Sequence, residues 1–166
     1  MQSNTILAIG PAAGDNLLVA GGEYRIVASG QQTDGRYAVI EMTVPPGAGP
    51  NPHSHESFEE SFFVLEGEVT FMSEAGTYVA KEHSFIAIPK GGIVHHFKNL
   101  TERPAKLLCT VSPAGLDDFF LEVSKYMQAA KEGSYPDADV KVSLNDIAAR
   151  SGQKLFSPDY LELLKK

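Results

Sequence analysis

The chain of 166 residues contains one cysteine, Cys109, so no intramolecular disulfide framework holds it together. Cys109 lies in Leu107-Leu108-Cys109-Thr110-Val111, which reads as a buried strand. Its expected role there is a small core hydrophobe rather than a nucleophile. Basic residues are scarce: 14 Lys and Arg against 21 Asp and Glu give a formal net charge of −7. That balance argues against a nucleic-acid partner, whose phosphates draw on clustered Lys and Arg. Solubility is a sufficient reason for the charge. No apolar run approaches the ~20 residues of a membrane span. A basic segment followed by an apolar stretch, as in a secretory signal, is also missing at the start. The expectation is a soluble, cytoplasmic protein with no nucleic-acid and no membrane partner. This length accommodates one domain with a proper core.

Short strands separated by turn residues fill the chain from Thr5 to about Pro113. The runs are Ile6–Ile9, Tyr24–Val27, Tyr37–Val44, Phe62–Phe71, Thr77–Ala80, Phe85–Ile88, Val94–Lys98 and Ala105–Val111. Turn signals punctuate them at Gly10-Pro11, Ser29-Gly30, Pro45-Pro46-Gly47, Ser73 to Gly76 and Pro89. Close spacing of this kind predicts a sandwich or barrel. Beyond Pro113 the period changes. Leu116, Phe119, Phe120, Val123 and Met127 recur at helical spacing, which predicts a helix over 116–131 opening on Asp117-Asp118 and closing at Gly133. Ser143 to Asp146 reads as the cap of a second helix, Ile147–Arg150. Ser157-Pro158 reads as the start of a third, Asp159–Lys165. The expected organisation is a β-domain over 1–113 with a helical extension over 114–166 packed on it.

Only five histidines are present, and two of them, His53 and His55, stand one residue apart. On a strand, residues i and i+2 share a face, so both imidazoles can aim at one point. Glu60 follows, with Glu59 beside it as the competing carboxylate. Alternation puts Glu60, Phe62 and Val64 on one face and Phe63 and Leu65 on the other, which favours Glu60 and leaves Glu59 at the rim. In Val94 to Asn99 the same reasoning groups His95 with Phe97 and sets His96 beside Lys98, a natural solvent residue. His83, in a turn, and His96 carry no expected site role. Three imidazoles and a carboxylate suit a borderline first-row metal and leave coordination positions open.

Gly47, five residues, His53, one residue, His55, four residues, Glu60, six residues and Gly67 together resemble the first motif of the cupin superfamily. The segment 83–99, with Pro89-Lys90-Gly91, His95 and Asn99, resembles the second. Two departures are visible. His83 stands where the second motif has glycine, and one extra residue separates Gly91 from His95. With Asn99 as the anchor, the extra residue falls in the Gly91-Gly92-Ile93 turn. The resemblance covers residues 38–112. It implies a mainly β fold, a double-stranded β-helix (jelly-roll) barrel with a short C-terminal helical appendage. It further implies one divalent metal (Fe, Mn, Ni, Co, Cu or Zn) held inside by His53, His55, Glu60 and His95.

Phe62, Val64 and Phe97 are the expected lining of a substrate pocket, which would favour a small aromatic or otherwise apolar ligand with one chelating end. The chain looks like the small single-domain cupins grouped with quercetin dioxygenase. That resemblance implies a metal-dependent dioxygenase in which Glu60 doubles as ligand and general base. A non-catalytic module that senses or stores a small ligand or metal is the alternative. A sugar-phosphate isomerase ranks lower, since only Lys90, Lys98 and Arg103 offer nearby cations. Phe63 and Leu65, apolar and outward, need cover that the C-terminal helices or a second subunit could supply, and the resemblance suggests a homodimer.

Overall fold

The computed structural model describes residues 5–133 and 137–165, with side-chain surroundings left undescribed at 137–142. Ten strands precede the helices: β1 (Asp15–Val19), β2 (Gly22–Ala28), β3 (Ala38–Val44), β4 (His53–His55), β5 (Glu59–Glu66), β6 (Glu68–Ser73), β7 (Gly76–Lys81), β8 (Phe85–Ile88), β9 (His95–Lys98) and β10 (Ala105–Ser112). α1 (Leu116–Lys131), α2 (Asp137–Arg150), β11 (Gln153–Leu155) and α3 (Tyr160–Leu163) follow. The strands form two antiparallel sheets, ordered β1-β2-β3-β10-β5-β8 and β11-β4-β9-β6-β7. This is the expected jelly roll with short C-terminal helices.

Strand alternation builds the interior. In β3, Ala38, Ile40, Met42 and Val44 are buried, and the residues between them are partly exposed. β10 does the same with Ala105, Leu107, Cys109 and Val111, and the two sets meet in register as Ile40↔Cys109, Met42↔Leu107 and Val44↔Ala105. Each of the larger of these side chains (Ile40, Met42, Val44, Leu107 and Val111) contributes on the order of 1.5–3 kcal/mol by leaving water. Asn99 closes one end of the barrel. Its Nδ2 donates to the carbonyls of Val44 (2.9 Å) and Arg103 (2.7 Å), and its Oδ1 accepts from the Thr101 amide (2.9 Å).

Several expected elements move. Ile6–Ile9 forms no strand and Ile6 is 94% exposed. A short apolar run becomes a strand only where a neighbour offers a ladder. The place beside β2 is taken instead by β1, joined to it through the two-residue turn Ala20-Gly21, both at positive φ (50° and 78°). The run Phe62–Phe71 divides at Gly67, where φ is +76° and a Cβ would lie 3.0 Å from the Pro104 carbonyl. There the chain turns from one sheet to the other. α1 spans the expected residues, but α2 starts at Asp137, so Ser143 to Asp146 lie inside it and cap nothing. The N-cap position of α3 falls at Asp159 rather than Ser157, and no side chain caps it. β11 was not expected. It pairs with β4, so the C-terminal segment contributes a strand as well as helices.

His83 takes φ +70°, the backbone that glycine adopts freely and other residues at a cost of roughly 1–2 kcal/mol. Its ring is solvent-exposed and pairs only weakly with Glu82 at 3.4 Å. Against that cost stands the extra chain entropy of glycine, about 0.5–1 kcal/mol. His83→Gly is therefore expected to stabilise the fold by about 0.5–1 kcal/mol. Urea unfolding would show it, and a lower midpoint would refute the strain account.

Candidate metal centre

β4, β5 and β9 bring His53, Glu60 and His95 to one place, with His55 beside them against Glu60 but outside that cluster. His53 and His95 are cross-strand partners in the β4–β9 ladder, their ring centroids 4.5 Å apart. Glu60 enters from the opposite sheet on the inward face of β5 that it shares with Phe62 and Val64, while Glu59 is exposed. Donor atoms of His53, Glu60 and His95 all lie within 4.8 Å of one another. His55 stands against the same carboxylate, Nε2 3.4 Å from Glu60 Oε2, with its ring stacked on Phe58 and its centroid 6.3 Å from that of His53. His95 Nε2 is 3.6 Å from the same oxygen. His55, Glu60 and His95 are 2%, 3% and 2% exposed. His96 turns to the other face and is buried as well, within electrostatic reach of Glu162 on α3. His83 is remote from the site.

Backbone carbonyls fix the imidazoles. Nδ1 of His53, His55 and His95 lies 2.9 Å from the carbonyls of Asn51, Phe58 and Ile93 respectively. A carbonyl only accepts, so each Nδ1 carries the hydrogen, and a neutral ring then presents its lone pair at Nε2. Among the described residues nothing hydrogen-bonds Nε2 of His55 or His95, although both atoms are buried. A buried polar atom without a partner costs about 1–3 kcal/mol. Two such atoms facing a carboxylate are what a bound cation would satisfy, and the donor chemistry fits a first-row metal.

The electrostatics agree. Burial works against ionisation of Glu60, but hydrogen bonds from the His55 and His95 imidazoles, made when a proton sits on Nε2, outweigh it, and the carboxyl is held well below its ordinary range. Burial, then the neighbouring His95, push His53 down to about 4, against an opposing pull from Glu60. At neutral pH the site therefore holds a carboxylate and an uncharged His53, the forms that ligate. Cys109 Sγ donates to Glu60 Oε1 at 3.3 Å. Burial and the Glu60 charge keep that thiol protonated, so Oε1 is tethered and Oε2 faces the imidazoles.

A cavity of about 250 Å³ opens on His53, Glu60 and His95. Phe62 and Phe97 line it as expected; Val64 does not. That residue lies farther along β5, near the Gly67 corner, fully enclosed in the core beside Leu107. Sequence reasoning missed most of the lining. Leu116, Phe119, Phe120 and Val123 of α1, with Leu144 and Leu155, roof the cavity, and Tyr24 of β2 walls one side. The apolar stripe of α1 was legible, but not the surface it covers. A tyrosine within a strand gives no signal that its hydroxyl reaches a site.

Residues 40–111 match the family model of the Cupin domain. The matched segment is a cupin domain. Over 107 residues the chain is 30% identical to quercetin 2,3-dioxygenase of Bacillus subtilis, covering 64% of this chain and 31% of that protein. Over 114 residues it is 33% identical to a "probable germin-like protein" of Arabidopsis thaliana, covering 66% of this chain and 46% of that one. It thus spans less than half of either curated relative. The structure of an RmlC-like cupin from Shewanella frigidimarina superposes with a TM-score of 0.57 at 18% identity, over 71% of this chain and 99% of that chain, a likeness of fold. No helix among the described residues is long and apolar enough to cross a membrane.

Proposed function

We propose that this protein holds one divalent first-row metal on His53, His55, Glu60 and His95 and acts as a dioxygenase on a small aromatic substrate bearing a chelating oxygen. The observation that carries the reading is the pair of buried, unpartnered Nε2 atoms of His55 and His95 facing Glu60, beside an apolar cavity that His53, Glu60 and His95 line. When bound, the metal would supply Lewis acidity and electron transfer to dioxygen. Glu60 Oε2 is the base that accepts the proton of a substrate hydroxyl, while Cys109 holds Oε1. Phe62, Phe97 and the α1 side chains shape a water-poor chamber for an aromatic ring.

The likeness to a quercetin dioxygenase supports this class of chemistry. Among the described residues no Lys or Arg lines the cavity, and Lys90, Lys98 and Arg103 are all exposed outside it. A sugar phosphate would find no cationic partner there. In the same reading, residues 114–166 are the cover of a barrel domain over 1–113. The homodimer would use the outer face where Phe63 and Phe85 pair, both exposed.

The test is metal content of the purified protein, followed by oxygen uptake with a panel of flavonols and catechols, beside His55→Ala. Stoichiometric metal and substrate-dependent oxygen uptake, both lost in the variant, are expected. Metal without uptake would make the protein a binding module. No metal after reconstitution would remove the central claim.

A further inference from the structure

Among the described residues that line the cavity, Tyr24 alone carries a hydroxyl group, and it is 3% exposed. Its ring is fixed on two sides. Phe120 meets it edge-on with centroids 5.2 Å apart, and at Gly22 even a Cβ would come within 3.3 Å of its Cε1. Its hydroxyl lies within electrostatic reach of Glu60 and Cys109, so it belongs to the same end of the cavity as the histidines. Among the described residues nothing hydrogen-bonds that hydroxyl. The other polar side chains of the lining are accounted for. The Gln153 amide donates to Ser151 Oγ at 3.2 Å, Asn51 is exposed, and the imidazoles and Glu60 form the metal set. A hydroxyl on the wall of the cavity with no protein partner is free to donate to a ligand or water there.

We propose that Tyr24 is a positioning residue: its phenol donates a hydrogen bond to an oxygen of the ligand held beside His53, Glu60 and His95. This rests on the metal reading above. A phenol at neutral pH keeps its proton and can donate. The ligand class that uses it is a hydroxylated aromatic, with its ring among Phe62, Phe97 and Phe120 and its oxygens shared between the metal and Tyr24. Ligands lacking the second oxygen would leave Tyr24 unpaired, so the residue selects vicinal dioxygenated rings over monohydroxylated ones.

The probe is 4-nitrocatechol, titrated by absorbance into metal-loaded protein. Tyr24→Phe keeps the ring on Phe120 and removes only the donor. Tyr24→Met is a second variant that fills the space without a ring. Both are expected to retain the wild-type metal stoichiometry and to bind 4-nitrocatechol about 10-fold more weakly. The absorption band of the bound catecholate should also shift, because a donated hydrogen bond stabilises charge on its oxygen. A mere packing role would not move that band in Tyr24→Phe. Unchanged affinity and band at full metal content would overturn the inference alone. Loss of metal in Tyr24→Phe would also overturn it, making the phenol a ligand. Wild-type protein that takes up no metal would overturn the metal reading and this inference together.

Discussion

Glu60→Gln is expected to abolish stoichiometric metal binding and yet to leave the metal-free fold at least as stable. The two effects have opposite signs for one reason. In the wild-type protein Glu60 Oε2 faces Nε2 of His55 and His95 at 3.4 and 3.6 Å, and only a proton or a cation can bridge a carboxylate to those lone pairs. A glutamine amide donates to such nitrogens directly, so the apo site gains a partner. The proposed cation, in turn, would lose the only anionic ligand the described residues offer it. Losing a supporting partner commonly costs 10- to 100-fold in affinity, and loss of a ligand should cost about 100-fold or more. Metal at about 100 times its dissociation constant stabilises a fold by about 2.7 kcal/mol. For a chain of this size that corresponds to roughly 5–10 °C in Tm. Wild-type protein should show such a rise on adding metal and lose it to a chelator, and Glu60→Gln should show neither. Equal metal-dependent shifts in the two proteins would mean that Glu60 is not a ligand.

Acidification should loosen the protein well before its carboxylates titrate. His53 is held down at about 4 in the fold, whereas an unfolded histidine titrates near about 6.5. Between those values the unfolded chain binds a proton that the folded chain refuses, so stability falls as pH falls, by up to about 1.4 kcal/mol per pH unit. His96, pushed down by burial, acts in the same direction. Glu60, held below its ordinary range, extends the loss to pH values under about 4.5. Bound metal competes with the same protons and should be released over the same window. Urea midpoints measured from pH 7 to 4 in the presence of a chelator should decline, and His53→Asn should flatten part of the slope. A level wild-type profile would exclude the burial account of His53.

Strand alternation alone distinguished Glu60 from Glu59 and His95 from His96, and the geometry brings the chosen two together. That much was legible because both strands are regular and each has one face in the barrel. The extra residue before His95 does no harm. Gly91 and Gly92 take φ of 112° and 82°, and His95 still reaches Glu60. What the chain did not reveal depends on long-range pairing. β1 rather than Ile6–Ile9 found a neighbour. Val64 and Phe62 share a face, but only Phe62 lies level with the cavity. Cys109 looked like packing and is packed, yet its thiol also tethers Glu60, a contact that becomes visible only when β10 lies beside β5. The roof over the cavity comes from helices whose apolar stripe could have covered any face.

β11 lies on one side of β4 and β9 on the other, with Leu155 opposite His53 and Gln153 opposite His55. A fragment carrying every motif residue but ending near Pro113 would leave the histidine strand as an open edge, three residues long and with half of its ladder missing. Such edges fray and recruit foreign strands. The smallest piece of this chain that can keep its imidazoles aimed at one point is therefore larger than the piece that supplies them.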